Sequence, residues 1–284
     1  MSGSSRRGFL RDLASAVASA REVLEPPDAP EPAPMVAQLT DAEVERYARQ
    51  LVLPEWGEAA QLALSEASVL VIGAGGLGSP VALYLAGAGV GRLGIVDDDV
   101  VEVSNLQRQP LHFTPDLGES KTESAAAKLR FLNPDTLVEP YRMRVDAENA
   151  GSLVEGHDLV VDCSDAFATR YAVNAACCAG RVRLVEGGVI GMSGLVMSIR
   201  PGRTACYRCA FPEAPADAPS CADAGVLGPA AGVVGSLQAL EALKLLTGVA
   251  PPITDGFLQL DLATADVLRV RTARRDDCPD CSNL

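Results

Sequence analysis

Ser68-Val69-Leu70-Val71-Ile72-Gly73-Ala74-Gly75-Gly76-Leu77-Gly78 is a short apolar, mostly β-branched run that leads directly into clustered glycines. The run reads as a buried strand, and the Ala/Leu-rich stretch at 80–88 reads as a helix. Strand, glycine turn and helix in this order have the spacing of a nucleotide-binding turn. Small residues at Gly73, Gly75, Gly76 and Gly78 let backbone N–H groups and a helix N-terminus come close to phosphate. A second apolar run, 92–96, ends at Asp97-Asp98-Asp99. Asp97 is thereby placed where a carboxylate accepts hydrogen bonds from ribose hydroxyls. The pattern alone leaves NAD and ATP both open.

Working outward, further strands are predicted at 137–143, 159–162 and 182–185, separated by helical segments such as 121–132 and 170–179. Strands alternating with helices imply right-handed crossovers and an α/β fold: a Rossmann-like, mainly parallel sheet with helices on both faces. Past Gly187 the rhythm changes to Gly-rich strands at 188–199, 256–260 and 267–271 around one helix, 233–246. This predicts an antiparallel C-terminal extension of the same domain. Thr40-Asp41-Ala42-Glu43 reads as a capping box opening an amphipathic helix over 44–53. Five prolines lie between Pro26 and Pro34, so residues 1–38 are read as a disordered tail or tether and 39–284 as the folded unit.

Composition removes several function classes. Of 284 residues, 48% are hydrophobic, enough for a packed core, and 37 acidic against 24 basic side chains give a net charge of −13. Attraction to nucleic acid or an anionic membrane surface is disfavoured. No apolar run approaches the roughly 18 residues of a membrane span. Arg6-Arg7 and Ala18-Ser19-Ala20 look like a twin-arginine signal, but the stretch between is Ala/Ser-rich, carries Arg11 and Asp12 at its start and is at the short end for an export signal, so export is not expected. His112 and His157 are the only histidines, which argues against His-based triads and His-rich metal sites. Eight cysteines without an export signal fit a reducing cytoplasm.

The cysteines divide into three groups. Cys206-x-x-Cys209 and Cys278-x-x-Cys281 form two thiolate hooks, the arrangement tetrahedral zinc takes, with all four positions filled by protein. Such a closed site is structural and clamps the C-terminus onto the body. Cys163, Cys177 and Cys178 lie in apolar contexts and read as small core residues. Cys221 sits in a polar Pro/Ala stretch, where an exposed thiol is either a nucleophile or a bystander.

Cations are scarce, yet they collect near the glycine loop: Arg46 and Arg49 before it, Arg108 within Asn105-Leu106-Gln107-Arg108-Gln109, then Lys121. Charged residues usually just solvate a surface, but around a glycine loop they supply what a triphosphate needs. Asp162-Cys163-Ser164-Asp165 closes another predicted strand, where a carboxylate beside phosphates reads as a Mg²⁺ ligand.

Together these segments resemble the ubiquitin-activating-type (E1-like) adenylyltransferases of the bacterial molybdopterin-synthase and thiazole-synthase activating family. The resemblance runs from about Asp41 to Cys281. It rests on Arg-Tyr-x-Arg-Gln at 46–50, the 73–78 glycine loop, Asp97-x-Asp99, Ser-Asn-Leu-Gln-Arg-Gln at 104–109, Gly118-x-x-Lys121, Asp-Cys-x-Asp at 162–165, Ala-Gly-Val-Leu-Gly-Pro at 224–229, Gly-Ser-Leu-Gln-Ala at 235–239 and both hooks.

The resemblance implies ATP in the glycine loop, with Asp97, Asp99 and Asn105 among the nucleotide-binding positions. It further implies Arg108 and Lys121 on the phosphates, Asp165 serving Mg²⁺, and Arg49 reaching the partner subunit's site in a homodimer. The implied substrate is the C-terminal Gly-Gly carboxylate of a small ubiquitin-like sulfur-carrier protein, which becomes an acyl-adenylate with release of pyrophosphate. Cys221 falls where some relatives form a covalent sulfur-transfer intermediate. No rhodanese-like segment follows Cys281, so a separate sulfur donor, a cysteine desulfurase or rhodanese, is expected. The alternative is the same chemistry on another peptide carboxylate or amide in specialised metabolism. An NAD-dependent oxidoreductase lacks a visible catalytic pairing, and a scaffold without activity does not account for the retained ATP-site residues.

The chemistry agrees with the residue inventory. A terminal carboxylate is ionised at neutral pH, so its attack on the α-phosphate needs no general base. The reaction needs alignment of two anions and neutralisation of growing charge, and loss of one such cation should cost on the order of 3 kcal/mol.

Overall fold

The computed structural model describes residues 39–214 and 225–284. Its single sheet has eight strands: β1 (Ser68–Ile72), β2 (Arg92–Val96), β3 (Leu137–Tyr141), β4 (Leu159–Asp162), β5 (Arg183–Ile190), β6 (Ser193–Ile199), β7 (Gly256–Asp261) and β8 (Asp266–Arg271). Their spatial order is β3-β2-β1-β4-β5-β6-β7-β8. The first five are parallel, and β6 to β8 continue the sheet antiparallel. Strand order reverses between β1 and β4, which leaves a crevice at their carboxyl ends.

Alternation along the strands sends side chains to two cores. Val69, Val71, Leu93 and Ile95 face one side, covered by α3 (Gly57–Glu66), α4 (Gly78–Ala88), α5 (Lys121–Leu132) and α9 (Gly228–Thr247). Leu70, Ile72, Val160 and Leu184 face the other, covered by α6 (Ala150–Val154), α7 (Phe167–Gly180) and the short α8 (Tyr207–Ala210) that carries the first cysteine hook. β1 is buried along its whole length, as its unbroken apolar run requires.

Three readings are corrected. The helix expected over 44–53 is two, α1 (Asp41–Arg46) and α2 (Ala48–Leu51), because Tyr47 at φ −96°, ψ 11° leaves the helical basin. The Thr40–Glu43 capping box is present. The strand expected over 188–199 belongs to a hairpin: β5 runs on through Gly187-Gly188 to Ile190 before β6 begins. The helices α3 and α6 lie outside every predicted element. The 1–38 tail and Cys221 fall outside the described residues.

Candidate active site

A cleft of about 760 Å³ opens at the carboxyl ends of the parallel strands. Gly73, Gly75, Asp97, Asp99, Asn105, Arg108, Lys121 and Asp165 all line it, so residues spread over 93 positions converge on one wall system. Gly76 and Gly78 do not line it. A methyl on Gly76 would press on Ala231 and Arg108, and one on Gly78 would overlap the Gly73 carbonyl. These two glycines allow the turn to pack, whereas Gly73 adopts φ +93°, a conformation glycine favours.

The loop is held by hydrogen bonds from several directions. The Gly73 amide donates to the Val96 carbonyl at 2.7 Å. The Ala74 amide donates to Asp97 Oδ2 at 2.7 Å, while Asp97 Oδ1 accepts from the Asp99 amide at 2.9 Å. Asp97 is therefore rigid at the mouth of the loop with lone pairs left over for a ligand. The amides of Gly75 and Gly76 meet no acceptor among the described residues, which leaves them available to an anion.

Lys121 is the first residue of α5 and is buried, its Nζ donating to Asp99 Oδ2 at 2.6 Å. Arg108 Nη1 donates to the Ser104 carbonyl at 2.9 Å, a bond within the 104–109 segment that points the guanidinium along the wall. Asn105 Oδ1 accepts from the Glu102 amide at 3.2 Å and shapes that segment. Asp165 is exposed and has no hydrogen-bond or ion-pair partner among the described residues, a free carboxylate suited to a hard cation. Arg49 is exposed, unpartnered among the described residues and not part of the cleft wall.

Sequence reasoning missed several residues here. Arg170, five positions past Asp165, lines the cleft and is buried. Its Nη2 donates to the Ser164 carbonyl at 2.6 Å and its Nη1 lies 3.6 Å from Glu186 Oε2. Asp162 and Glu186 are register partners on β4 and β5, both fully buried. Burial pushes both carboxyl groups above the ordinary range, Glu186 well above. Gln109 is buried against Gly75 with an unpartnered Oε1. Gln238 of α9 donates to the Asp162 carbonyl at 2.7 Å and accepts from the Cys163 thiol at 3.8 Å. Burial raises that thiol well above its usual value, so Cys163 is a packing residue despite touching the cleft. The signal for Arg170 was its place after Asp-Cys-x-Asp; nothing in the sequence marked Glu186.

The four hook cysteines converge within the core that α7 covers. Sγ–Sγ distances are 3.8 Å for Cys206–Cys209, 3.5 Å for Cys206–Cys278 and 3.4 Å for Cys209–Cys281. All four lie within 4.8 Å of one another and are buried. Disulfides need about 2.05 Å, whereas a tetrahedral ion with bonds of about 2.3 Å has sulfur–sulfur edges of about 3.8 Å. The donor set therefore fits zinc. Hydrogen bonding, chiefly with the Cys178 thiol, holds Cys206 below the usual thiol range, toward the thiolate a metal binds.

Residues 47–281 match the model of the ThiF family. The chain belongs to that family. It is 45% identical over 251 residues to the sulfur carrier protein adenylyltransferase of Thermus thermophilus, covering 86% of this chain and 93% of the relative. It is also 45% identical over 248 residues to the Xenopus laevis adenylyltransferase and sulfurtransferase MOCS3, covering 86% of this chain but 55% of that relative. The chain thus spans about half the length of this last protein. In fold it resembles E. coli MccB crystallised with AMPCPP and MccA, with a TM-score of 0.78 at 22% identity, covering 87% of this chain and 76% of that one.

Proposed function

We propose that this ThiF-family chain is an adenylyltransferase: it binds MgATP in the 760 Å³ cleft and transfers AMP to the C-terminal Gly-Gly carboxylate of a small ubiquitin-like sulfur-carrier protein. Pyrophosphate leaves, and the acyl-adenylate is then open to sulfur attack. The observation that carries the reading is the convergence on one cleft of the glycine loop, Asp97, Arg108, Lys121 and Asp165. The 45% identity to a sulfur carrier protein adenylyltransferase over nearly the whole of both chains supports the substrate class. The likeness to MccB bears on fold and does not favour the alternative of a different peptide substrate.

In this reading the glycine-loop amides receive the phosphates, and Asp97 accepts from the ribose. Arg108 and Lys121 neutralise charge growing between α-phosphate and pyrophosphate. Asp165 holds Mg²⁺, which would screen the triphosphate. The carrier carboxylate arrives already ionised, so these residues need only align it in line with the bond that breaks. Arg49 acts on the cleft of a second copy in a homodimer, consistent with its absence from the wall of its own cleft. The hook cysteines hold a structural zinc that takes no part in the chemistry. Residues 39–284 form the adenylation unit, 1–38 a tether, and Cys221 is the thiol available to a sulfur donor such as a cysteine desulfurase or rhodanese. Among the described residues no cysteine is in a disulfide, in keeping with a cytoplasmic setting. No described helix is long and apolar enough to cross a membrane.

The test is ATP–pyrophosphate exchange by the purified chain with Mg²⁺, adding in turn each small Gly-Gly-terminated protein of the source genome. Exchange should appear with one carrier and vanish when its last glycine is removed. Silence with every carrier, despite measurable ATP binding, would overturn the carrier assignment.

A further inference from the structure

His112 takes no part in the chemistry above and does not line the cleft, yet it touches the loop on which the cleft depends. Its ring is buried at 2% exposure, wedged between the glycine loop and α5. Nε2 lies 2.8 Å from the Ala74 carbonyl oxygen and Nδ1 lies 2.8 Å from Ser124 Oγ. A carbonyl can only accept, so Nε2 carries the hydrogen, and in the neutral ring Nδ1 accepts from the Ser124 hydroxyl. Ser124 Oγ in turn accepts from Lys128 Nζ at 2.8 Å, and that ammonium also donates to Asp116 Oδ2 at 2.5 Å. A continuous chain of hydrogen bonds therefore runs from Asp116 through Lys128, Ser124 and His112 to the loop.

The residue at the end of that chain is the one already tied from the other side. Ala74 donates its amide to Asp97 at 2.7 Å while His112 takes its carbonyl. Both peptide groups flanking Ala74 are thus fixed, and with the second of them the direction of the Gly75 amide, which belongs to the same peptide as the Ala74 carbonyl. We propose that His112 is a positioning residue for nucleotide binding, an imidazole post that aims the Gly75 amide at the phosphates. The inference rests on reading the cleft as the nucleotide site. Burial, aided by Lys128 and Lys121, keeps the imidazole below its ordinary pKa, consistent with a ring that works as a neutral bridge.

The experiment is calorimetric titration of Mg-ATP into the full chain as wild type, H112F and H112Q, with thermal melting of each. H112F keeps the ring shape and removes both hydrogen bonds; H112Q restores a donor toward Ala74. The dissociation constant should rise about tenfold in H112F, the scale of one lost buried hydrogen bond, and recover at least in part in H112Q. In exchange assays the KM for ATP should rise in H112F and the KM for the carrier should not. Unchanged ATP affinity in folded H112F overturns the inference and leaves the nucleotide reading standing. Absence of ATP binding by the wild type overturns that reading and the inference with it. Should H112F fail to fold, S124A removes the partner of Nδ1 without touching the ring, and should weaken ATP about threefold; unchanged affinity there overturns the inference.

Discussion

Lys121 and Glu186 are both buried ionisable residues, and their surroundings differ. Lys121 is paired with Asp99, which stands 2.6 Å away and is exposed. Lys121→Ala should therefore lower the exchange rate by about a hundredfold, or about 3 kcal/mol, with little change in melting because exposed Asp99 is easily resolvated. Stopped exchange assays and a melting curve check both halves. Glu186 has no hydrogen-bond donor for either oxygen, and burial holds its pKa well above the carboxylate range. The folded state then binds a proton that the unfolded chain has released. Stability is present below the ordinary value near 4.5 and is lost as pH rises toward the raised one, by at most about 1.4 kcal/mol per pH unit. Glu186→Gln, which mimics the protonated acid, should flatten that slope and leave the protein at least as stable at neutral pH; urea unfolding across pH 5 to 8 measures it. Motif spacing made Lys121 legible. Glu186 was not, because it meets Asp162 only through the β4–β5 register, which no local pattern records.

At the scale of elements, the glycine turn is where local sequence and tertiary contact agree most closely. Periodicity located β1, β2, β4 and α5 to within a residue or so, since each buries a face that its spacing already advertises. It failed at α3, whose helix follows the Pro54–Trp56 turn with no capping side chain, and at Gly187-Gly188. There glycines read as a strand end, whereas the structure needs them inside β5, because Gln238 fills the space a Gly187 side chain would take. The same logic separates the loop glycines. Gly75 faces the cleft, but Gly78 faces the Gly73 carbonyl so closely that no side chain fits. Gly78→Ala should thus behave as an overpacking mutation, destabilising by about 3 kcal/mol in urea unfolding and weakening ATP binding as a consequence. A Gly78→Ala chain of wild-type stability would show that the turn can relax, and would return Gly78 to the direct ligand contacts expected from its spacing.

Across the whole molecule, the two hooks join the segment after β6 to the segment after β8, with Cys206 and Cys278 72 positions apart in the chain. The antiparallel extension ends at Arg271, and the chain then returns to α8 to complete the cysteine cluster. One side chain touches both hooks: Asn174 of α7 accepts from the Tyr207 amide at 2.8 Å and donates to Asp280 Oδ2 at 2.7 Å. Arg208 adds an ion pair to Asp280 at 2.9 Å. Four buried sulfurs crowded at 3.4 to 3.8 Å would repel one another as thiolates unless a cation sat between them. Metal removal should therefore open the clamp and loosen the core to which all four hook cysteines belong, while leaving the core on the opposite face of the sheet intact. Chelation, or Cys278→Ser, should cost about 4 kcal/mol, read as a fall of roughly 10 °C in melting temperature. It should also make the segment after Arg271 the first site of limited proteolysis, with ATP affinity changing far less than stability. Elemental analysis should return zinc from the untreated protein. Metal-free protein that melts unchanged and resists cleavage there would mean that Asn174 and the ion pairs hold the C-terminus without an ion.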